Sequence, residues 1–211
     1  MCCRYYILPK GVEWDPIREG VERSALLPRF RAIGAEPVTE GELRPTDVAP
    51  VLAADRQGGA RIFPMRWGFA MQGRAPLINA RTETAAEKPA FREAWAAHRC
   101  AVPASWYYVW KHDANPDTGK LRKTKYAIRP REEGLTWLCG LYRMENGLPA
   151  FVILTREPCP DVAFLHDRMP LILPGEAVSD WIRPDADPRA ILPRAVTALR
   201  VEKAEPYQPN S

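Results

Sequence analysis

The chain has 211 residues, 46% hydrophobic and 27% charged, with a formal net charge of +4. These are the proportions of an ordinary soluble globular protein; they exclude a collagen, a coiled coil and a disordered chain, and the length suits one domain (1–211) better than two. The basicity (pI near 8.9) permits an anionic partner without requiring one. No apolar run approaches the roughly 18 residues of a membrane span, and Met1-Cys2-Cys3-Arg4 has no signal-peptide architecture. The expectation is a cytoplasmic protein with no membrane partner, whose thiols are reduced.

In chain order, the short runs rich in aromatic and β-branched residues predict strands at Arg4 to Leu8, Arg61 to Trp67, Cys100 to Pro103, Tyr107 to Lys111, Lys125 to Arg129, Leu135 to Tyr142, Leu148 to Thr155 and Met169 to Leu173. Helices are fewer. One is expected from Ile17 to Ala32, interrupted by Pro28. A second runs from Lys88 to Ala97, with Pro89 near its start, where a missing N–H does no harm. Further ones span Gly175 to Ile182 and Asp187 to Leu192. The 22 prolines are scattered, punctuating short elements and not forming one linker. Residues 112–124 read as a polar hairpin connection, and the tail from Glu202 as loose. Many strands, few helices and no regular βαβ alternation indicate an α+β, β-rich single domain.

The five cysteines make no zinc pattern. Cys2 and Cys3 are adjacent, while Cys100, Cys139 and Cys159 stand alone without a CxxC or a histidine at ligand spacing, so no metal and no cofactor are expected. Cys100 and Cys139 sit in or beside apolar runs and read as small buried hydrophobes; Cys159, between two prolines, reads as a loop residue. Of the three histidines, His98 and His112 fall at a helix end and in the polar connection, as solvated residues. His166 precedes Asp167-Arg168-Met169-Pro170 and is the candidate for proton transfer, because histidine changes charge near neutral pH.

Four segments carry a resemblance. They are Met1-Cys2-Cys3-Arg4-Tyr5-Tyr6; Arg66-Trp67-Gly68-Phe69 followed by Asn79-Ala80-Arg81-Thr82-Glu83-Thr84 and the Lys88 to Glu93 stretch; Arg99-Cys100-Ala101-Val102-Pro103 running through to Trp110-Lys111; and Ile153-Leu154-Thr155 leading to His166-Asp167-Arg168-Met169-Pro170. In this order and spacing they resemble the SOS response-associated peptidase (SRAP) family, over Cys2 to about Trp181. The resemblance implies a compact β-rich α+β domain with a positively charged groove, acting as a monomer in the cytoplasm and on the nucleoid when engaged on DNA. Its partner would be single-stranded DNA carrying abasic sites. It also implies removal of Met1, covalent capture of the abasic aldehyde by Cys2 as a thiazolidine, and associated self-processing peptidase and lyase activity. Asn79 resembles the family's asparagine beside that cysteine. Arg4, Arg81 and Arg168 resemble its phosphate-contacting arginines, Trp67 its lesion-stacking aromatic, and Thr155 is expected to line the site through its hydroxyl.

The chemistry of Cys2 follows from its structure once Met1 is gone. An α-amine has an ordinary pKa near 7.7–8.0, so a useful fraction is neutral at physiological pH. It attacks an aldehyde to give an imine, and the thiol of the same residue then closes a five-membered ring on the same carbon. Cys3 cannot replace it, because its nitrogen is an amide. While Met1 is attached, the amine of Cys2 is also an amide and the trap is closed.

One position departs from the family pattern. Where the family has a glutamate before the tryptophan of the third segment, this chain has Val109, and valine carries no proton. Loss of one general acid–base group costs about 10²–10⁴ in rate, with self-processing expected to suffer most. Cys3 replaces a glycine frequent in the family, a smaller change. Two other readings stand beside the abasic-site enzyme: an N-terminal-nucleophile cysteine amidohydrolase, and a single-stranded-DNA binding module weakened in catalysis by Val109.

Overall fold

The alternating short runs become strands because their neighbours in space complete the backbone hydrogen bonds that a lone strand leaves open. The computed structural model describes residues 3–114 and 121–204. In chain order the elements are β1 (Tyr5–Ile7), α1 (Asp15–Glu22), α2 (Leu27–Arg31), β2 (Gly41–Leu43), β3 (Val48–Ala54), β4 (Ala60–Trp67), β5 (Phe69–Met71), β6 (Arg74–Leu77) and β7 (Asn79–Arg81). There follow α3 (Arg92–Ala97), β8 (Arg99–Ala104), β9 (Trp106–Ala114), β10 (Leu121–Pro130), β11 (Thr136–Glu145) and β12 (Leu148–Arg156). The chain continues through β13 (Met169–Pro170), β14 (Ile172–Leu173), α4 (Gly175–Ile182), α5 (Pro188–Ile191), a short 3-10 turn and β15 (Leu199–Lys203). No helix among the described residues is long and apolar enough to cross a membrane.

Strands β3, β4, β12, β11 and β8 form a closed ring, because β11 and β12 pair with each other as well as with β8 and β4. Closure removes the edges that would otherwise invite association. It also explains why β8 is buried at every residue, and β12 at every residue from Pro149 to Thr155. One face fills the barrel with Cys100, Val102, Phe151 and Ile153, and the other packs Ala101, Val152 and Leu154 with Trp95, Trp181 and Val178 of α3 and α4. The β11–β12 backbones come close at Gly140, where a Cβ would stand 2.6 Å from the Val152 carbonyl oxygen.

The second sheet, ordered β15-β10-β9-β1-β2, lays its inner face on the first. Tyr5, Ile7, Leu43, Tyr107, Val109 and Ile128 join one apolar cluster with Met65, Trp67 and Phe151. The chain passes from one sheet to the other at Ser105, between β8 and β9. There the Ser105 N–H donates to the Tyr6 carbonyl at 2.8 Å, its Oγ accepts from the Leu8 N–H at 2.9 Å, and its carbonyl accepts from Thr136 Oγ1 at 3.1 Å.

The structure departs from the sequence reading where local propensity is weak. The Ala- and Pro-containing β3 is a strand because the barrel flanks it on both sides, Pro50 standing opposite Pro64. The stretch Met169 to Leu173 splits: Met169–Pro170 pairs with β12 and Ile172–Leu173 with β11. The expected helix from Lys88 begins only at Arg92, and Ile17 to Ala32 contains two helices. Glu202 and Lys203 are not loose; they pair with Ala127 and Tyr126. Of the polar connection, 112–114 and 121–124 extend β9 and β10, and 115–120 lies outside the described residues.

The largest surprise is Arg99, which is 1% exposed. Its guanidinium donates to the carbonyls of Trp181 (2.9 Å), Trp95 (2.8 Å), Ala96 (2.7 Å), Ala186 (2.8 Å) and Arg183. These carbonyls lie in or just beyond the last turns of α3 and α4, groups that a helix end leaves without intrahelical donors. One buried cation thus caps two helices and ties them to the barrel.

Candidate active site

The parallel pairing of β7 with β12 builds the site. It sets Asn79 opposite Ile153 and Arg81 opposite Thr155, and the two-residue strand period puts Asn79 and Arg81 on one face while Ala80 goes to the core. After β12 the chain turns through Cys159 to Leu165 and returns as β13, delivering His166, Asp167 and Arg168 to the same edge. A cleft of about 430 Å³ results, walled by Asn79, Arg81, Lys88, Phe91, Thr155, His166, Asp167 and Arg168 among others. Five residues singled out from the sequence thus meet in one cavity, from segments as far apart as β7 and the β12–β13 connection. Cys2 lies outside the described residues.

His166 Nδ1 accepts from the Arg168 backbone N–H at 3.1 Å, and Asp167 Oδ1 stands 2.5 Å from the same nitrogen. The first contact needs a lone pair on Nδ1 and the second a proton, so the charge state of the ring decides between them. Burial holds the imidazole below its ordinary pKa, against the opposing pull of Asp167. Burial thus favours the neutral ring at neutral pH.

Arg168 is a brace. Its Nη1 and Nη2 meet Glu83 Oε1 and Oε2 at 2.8 Å each, and Nη2 also donates to the Thr155 carbonyl at 2.7 Å. Its side chain is 12% exposed and its fork is engaged by Glu83. The same bond holds the Glu83 carboxyl below the usual carboxylate range. Thr155 lies beside Arg168 on the cleft wall. It is 1% exposed and its hydroxyl is turned to the Ala80 carbonyl at 3.4 Å. Its carbonyl is the working group, accepting from Arg168 and from the N–H and hydroxyl of Thr82 at 2.9 and 3.2 Å.

Trp67 is enclosed in the core. It is 0% exposed, its indole N–H donates to the Ile78 carbonyl at 3.0 Å, and its ring packs on Tyr5 and Phe151 at 5.2 and 6.1 Å. Arg4 is not a wall of the cleft; it pairs with Glu42 at 3.3 Å.

Val109 is 5% exposed and belongs to the apolar cluster under the second sheet. Tyr5 faces Tyr107, Tyr6 faces Trp106, and Tyr108 N–H donates to the Arg4 carbonyl at 3.0 Å. The same register carried one step on sets Cys3 across from Val109. Two residues further along β9, the Lys111 ammonium lies 5.6 Å from the ring of Phe164, which shares a turn with His166. Cys100 and Cys139 are fully buried, and burial pushes both thiols upward in pKa, as inert core cysteines require. Cys159 is also buried, its N–H directed at Met169 Sδ at 3.2 Å. Lys88, an exposed cation on the cleft wall, was not singled out from the sequence, where nothing distinguishes it from other surface lysines.

Fold and cleft together define a class: a closed β-barrel domain with a cleft beside β7 and β12, bearing an amide and an imidazole among apolar side chains. The chain belongs to the SOS response associated peptidase (SRAP) family, whose model matches residues 1–208. It is 30% identical to the abasic site processing protein YoqW of Bacillus subtilis, covering 100% of this chain and 93% of that one. It is 32% identical to YobE of the same organism, covering 82% and 84%, and 30% identical to YedK of Escherichia coli, covering 65% and 64%. Among solved structures, a protein from Bacteroides thetaiotaomicron superposes with a TM-score of 0.73 at 20% identity, over 97% of this chain and 92% of that one. A phage-related protein from Bordetella bronchiseptica superposes with a TM-score of 0.71 at 22% identity.

Proposed function

We propose that this protein processes abasic sites in single-stranded DNA, capturing the exposed aldehyde on Cys2 after loss of Met1. The observation that carries the proposal is the meeting of Asn79, Arg81, His166 and Arg168 in one cleft of a chain whose relatives are named for abasic-site processing. The closed sugar of an abasic site opens to its aldehyde by moving a proton from one oxygen to another, and a neutral His166 suits that transfer. The amine of Cys2 adds to the aldehyde carbon, and the carbinolamine loses one water to give an imine. The thiol then adds to that carbon and its proton passes to nitrogen, closing the thiazolidine. Asn79 would orient the amine or the sugar oxygen, while Arg81 and Lys88 on the cleft wall meet the flanking phosphates.

Self-removal of Met1 is the slow step in this reading. Amide cleavage needs a proton delivered to the leaving amine, and Val109 supplies none. Of the acids near the cleft, Glu83 is committed to Arg168 and Asp167 to the His166 ring. A second reading, a single-stranded-DNA binding module with little catalysis, is favoured by the burial of Val109 among apolar side chains.

The test uses Met-free protein and an oligonucleotide carrying one abasic site, resolved on a denaturing gel. A shifted band that vanishes in Cys2→Ala is the expected result. Salt-sensitive reversible binding without a shifted band would establish the binding module instead.

A further inference from the structure

The outer face of the second sheet carries a row of rings that the cleft does not use. Strand alternation turns Tyr5, Tyr107 and Val109 inward, and Tyr6, Trp106, Tyr108 and Trp110 to the other face, where Tyr108 is itself buried, with Lys125 close over its ring. Tyr6 and Trp106 are a cross-strand pair, stacked with centroids 4.7 Å apart and planes 2° from parallel. Tyr108 stands edge-on to both, at 6.5 and 6.4 Å, and Trp110 follows at 6.3 Å from Tyr108.

Cations lie along this row. Lys125 Nζ is 3.6 Å from the centre of the Tyr108 ring and 5.4 Å from that of Trp110, and Lys123 Nζ is 5.3 Å from Trp110. One carboxylate, Glu42, is shared by Arg4, Arg44 and Lys125, so the face keeps an excess of positive charge. Lys123 is exposed and pairs with no carboxylate among the described residues. The helices pack elsewhere, α1 against β3 and β4, α3 against β8 and β11, and α4 against β3 and β8. Tyr6, Trp106 and Trp110 remain partly open to solvent.

Cross-strand aromatic pairs stabilise a sheet on their own, but that role does not call for ammonium groups beside the rings, one of them, Lys123, without a carboxylate partner among the described residues. Flat π-faces interleaved with cations match one chemistry closely: bases that stack and phosphates that pair, as in an unpaired nucleic-acid strand. We propose that this face is a second contact surface for single-stranded nucleic acid, bases stacking on the Tyr6–Trp106 pair and phosphates meeting Lys123 and Lys125. Duplex is disfavoured because its bases are already stacked. A strand long enough to reach both regions binds the cleft and the sheet face together, which raises affinity by effective concentration. The inference stands on the sheet face alone and does not depend on covalent chemistry in the cleft.

The test compares undamaged oligo(dT) of about 8 and about 30 nucleotides, measured by tryptophan-fluorescence quenching over a salt series with the full chain. The expected wild-type result is quenching, with tighter binding of the longer strand. Trp106→Leu should weaken the long oligonucleotide about tenfold and leave the short one little changed. Lys123→Glu, at an exposed position that cannot disturb the fold, should weaken it and flatten its salt dependence by about one phosphate contact. Adduct formation on a short abasic oligonucleotide should persist in both variants. Unchanged long-strand affinity in both variants overturns the proposal, as does equal competition by poly-glutamate, which has charge but no bases to stack. Loss of adduct formation in the wild type would remove the cleft reading and leave this comparison intact.

Discussion

Glu83 and Arg168 form a two-pronged ion pair, both oxygens meeting both terminal nitrogens at 2.8 Å. They lie in different segments, the turn after β7 and the start of β13, and the pair joins them across the Thr155 carbonyl. Because the backbone N–H of Arg168 donates to His166 Nδ1, the pair also steadies the ring on which the proposed chemistry depends. Fork-to-fork geometry of this kind fixes direction as well as distance.

Glu83→Gln should therefore loosen the His166 turn without unfolding the barrel. The expected outcome is slower adduct formation, with a shift in the His166 titration read by NMR; a change in thermal stability alone would mark the pair as merely structural. The pH dependence has a definite sign. The Glu83 carboxyl is held below its ordinary value of 4.5, so the stabilisation is complete above that pH and is lost as pH falls through the lower folded value. The stability difference between wild type and Glu83→Gln should close in that acid window.

His166→Asn should slow adduct formation by about 10²–10⁴, the usual weight of one acid–base group. In the wild type, burial keeps the imidazole neutral to lower pH than an ordinary histidine. The rate should thus hold steady below pH 6.5 before declining, and the asparagine variant should lose that inflection. Single-turnover gels across pH 5 to 8 measure both.

Val109→Glu restores an acid at the family's position, but places it where 5% of the residue meets solvent. Two opposite effects are expected. Burial of a carboxyl among apolar neighbours lowers stability and raises its pKa, and the protonatable group speeds removal of Met1. Denaturant midpoints read the first, and intact mass in an aminopeptidase-free preparation reads the second.

Arg99→Met removes the guanidinium donors to the carbonyls of Trp95, Ala96, Trp181, Arg183 and Ala186. The loss should be about 3–5 kcal/mol, in the range for breaking a buried charged network from one side. Urea unfolding measures it. Arg99→Lys should recover only part, since an ammonium has three donors and no fork.

Legibility of the fold followed side-chain patterning. Runs such as Leu148 to Thr155 and Leu135 to Tyr142 are strands by composition alone, and they form the wall of the barrel. β3 and β7 are not legible because alanine, proline and asparagine have little strand preference; β3 is a strand because β4 and β8 flank it, and β7 because β12 pairs with it. The site was legible as separate motifs, and Asn79, Arg81 and His166 do line one cleft. What residue type did not reveal is burial and partner: Trp67 and Thr155 are enclosed and Arg168 meets Glu83, contacts made only in the tertiary structure.

What the sequence by itself determined is the chemistry available: a cysteine at position 2 whose amine and thiol can act on one carbon once freed, a histidine titrating near neutrality, and no acid at position 109. Those are properties of covalent structure and need no fold. The tertiary structure decided which groups are already committed. It assigns Arg168 to Glu83, Trp67 to the core and Arg99 to two helix ends, and leaves Tyr6, Trp106 and Trp110 partly open to solvent. Such assignments depend on contacts between residues distant in the chain, and neither residue type nor spacing encodes the partner a side chain will meet.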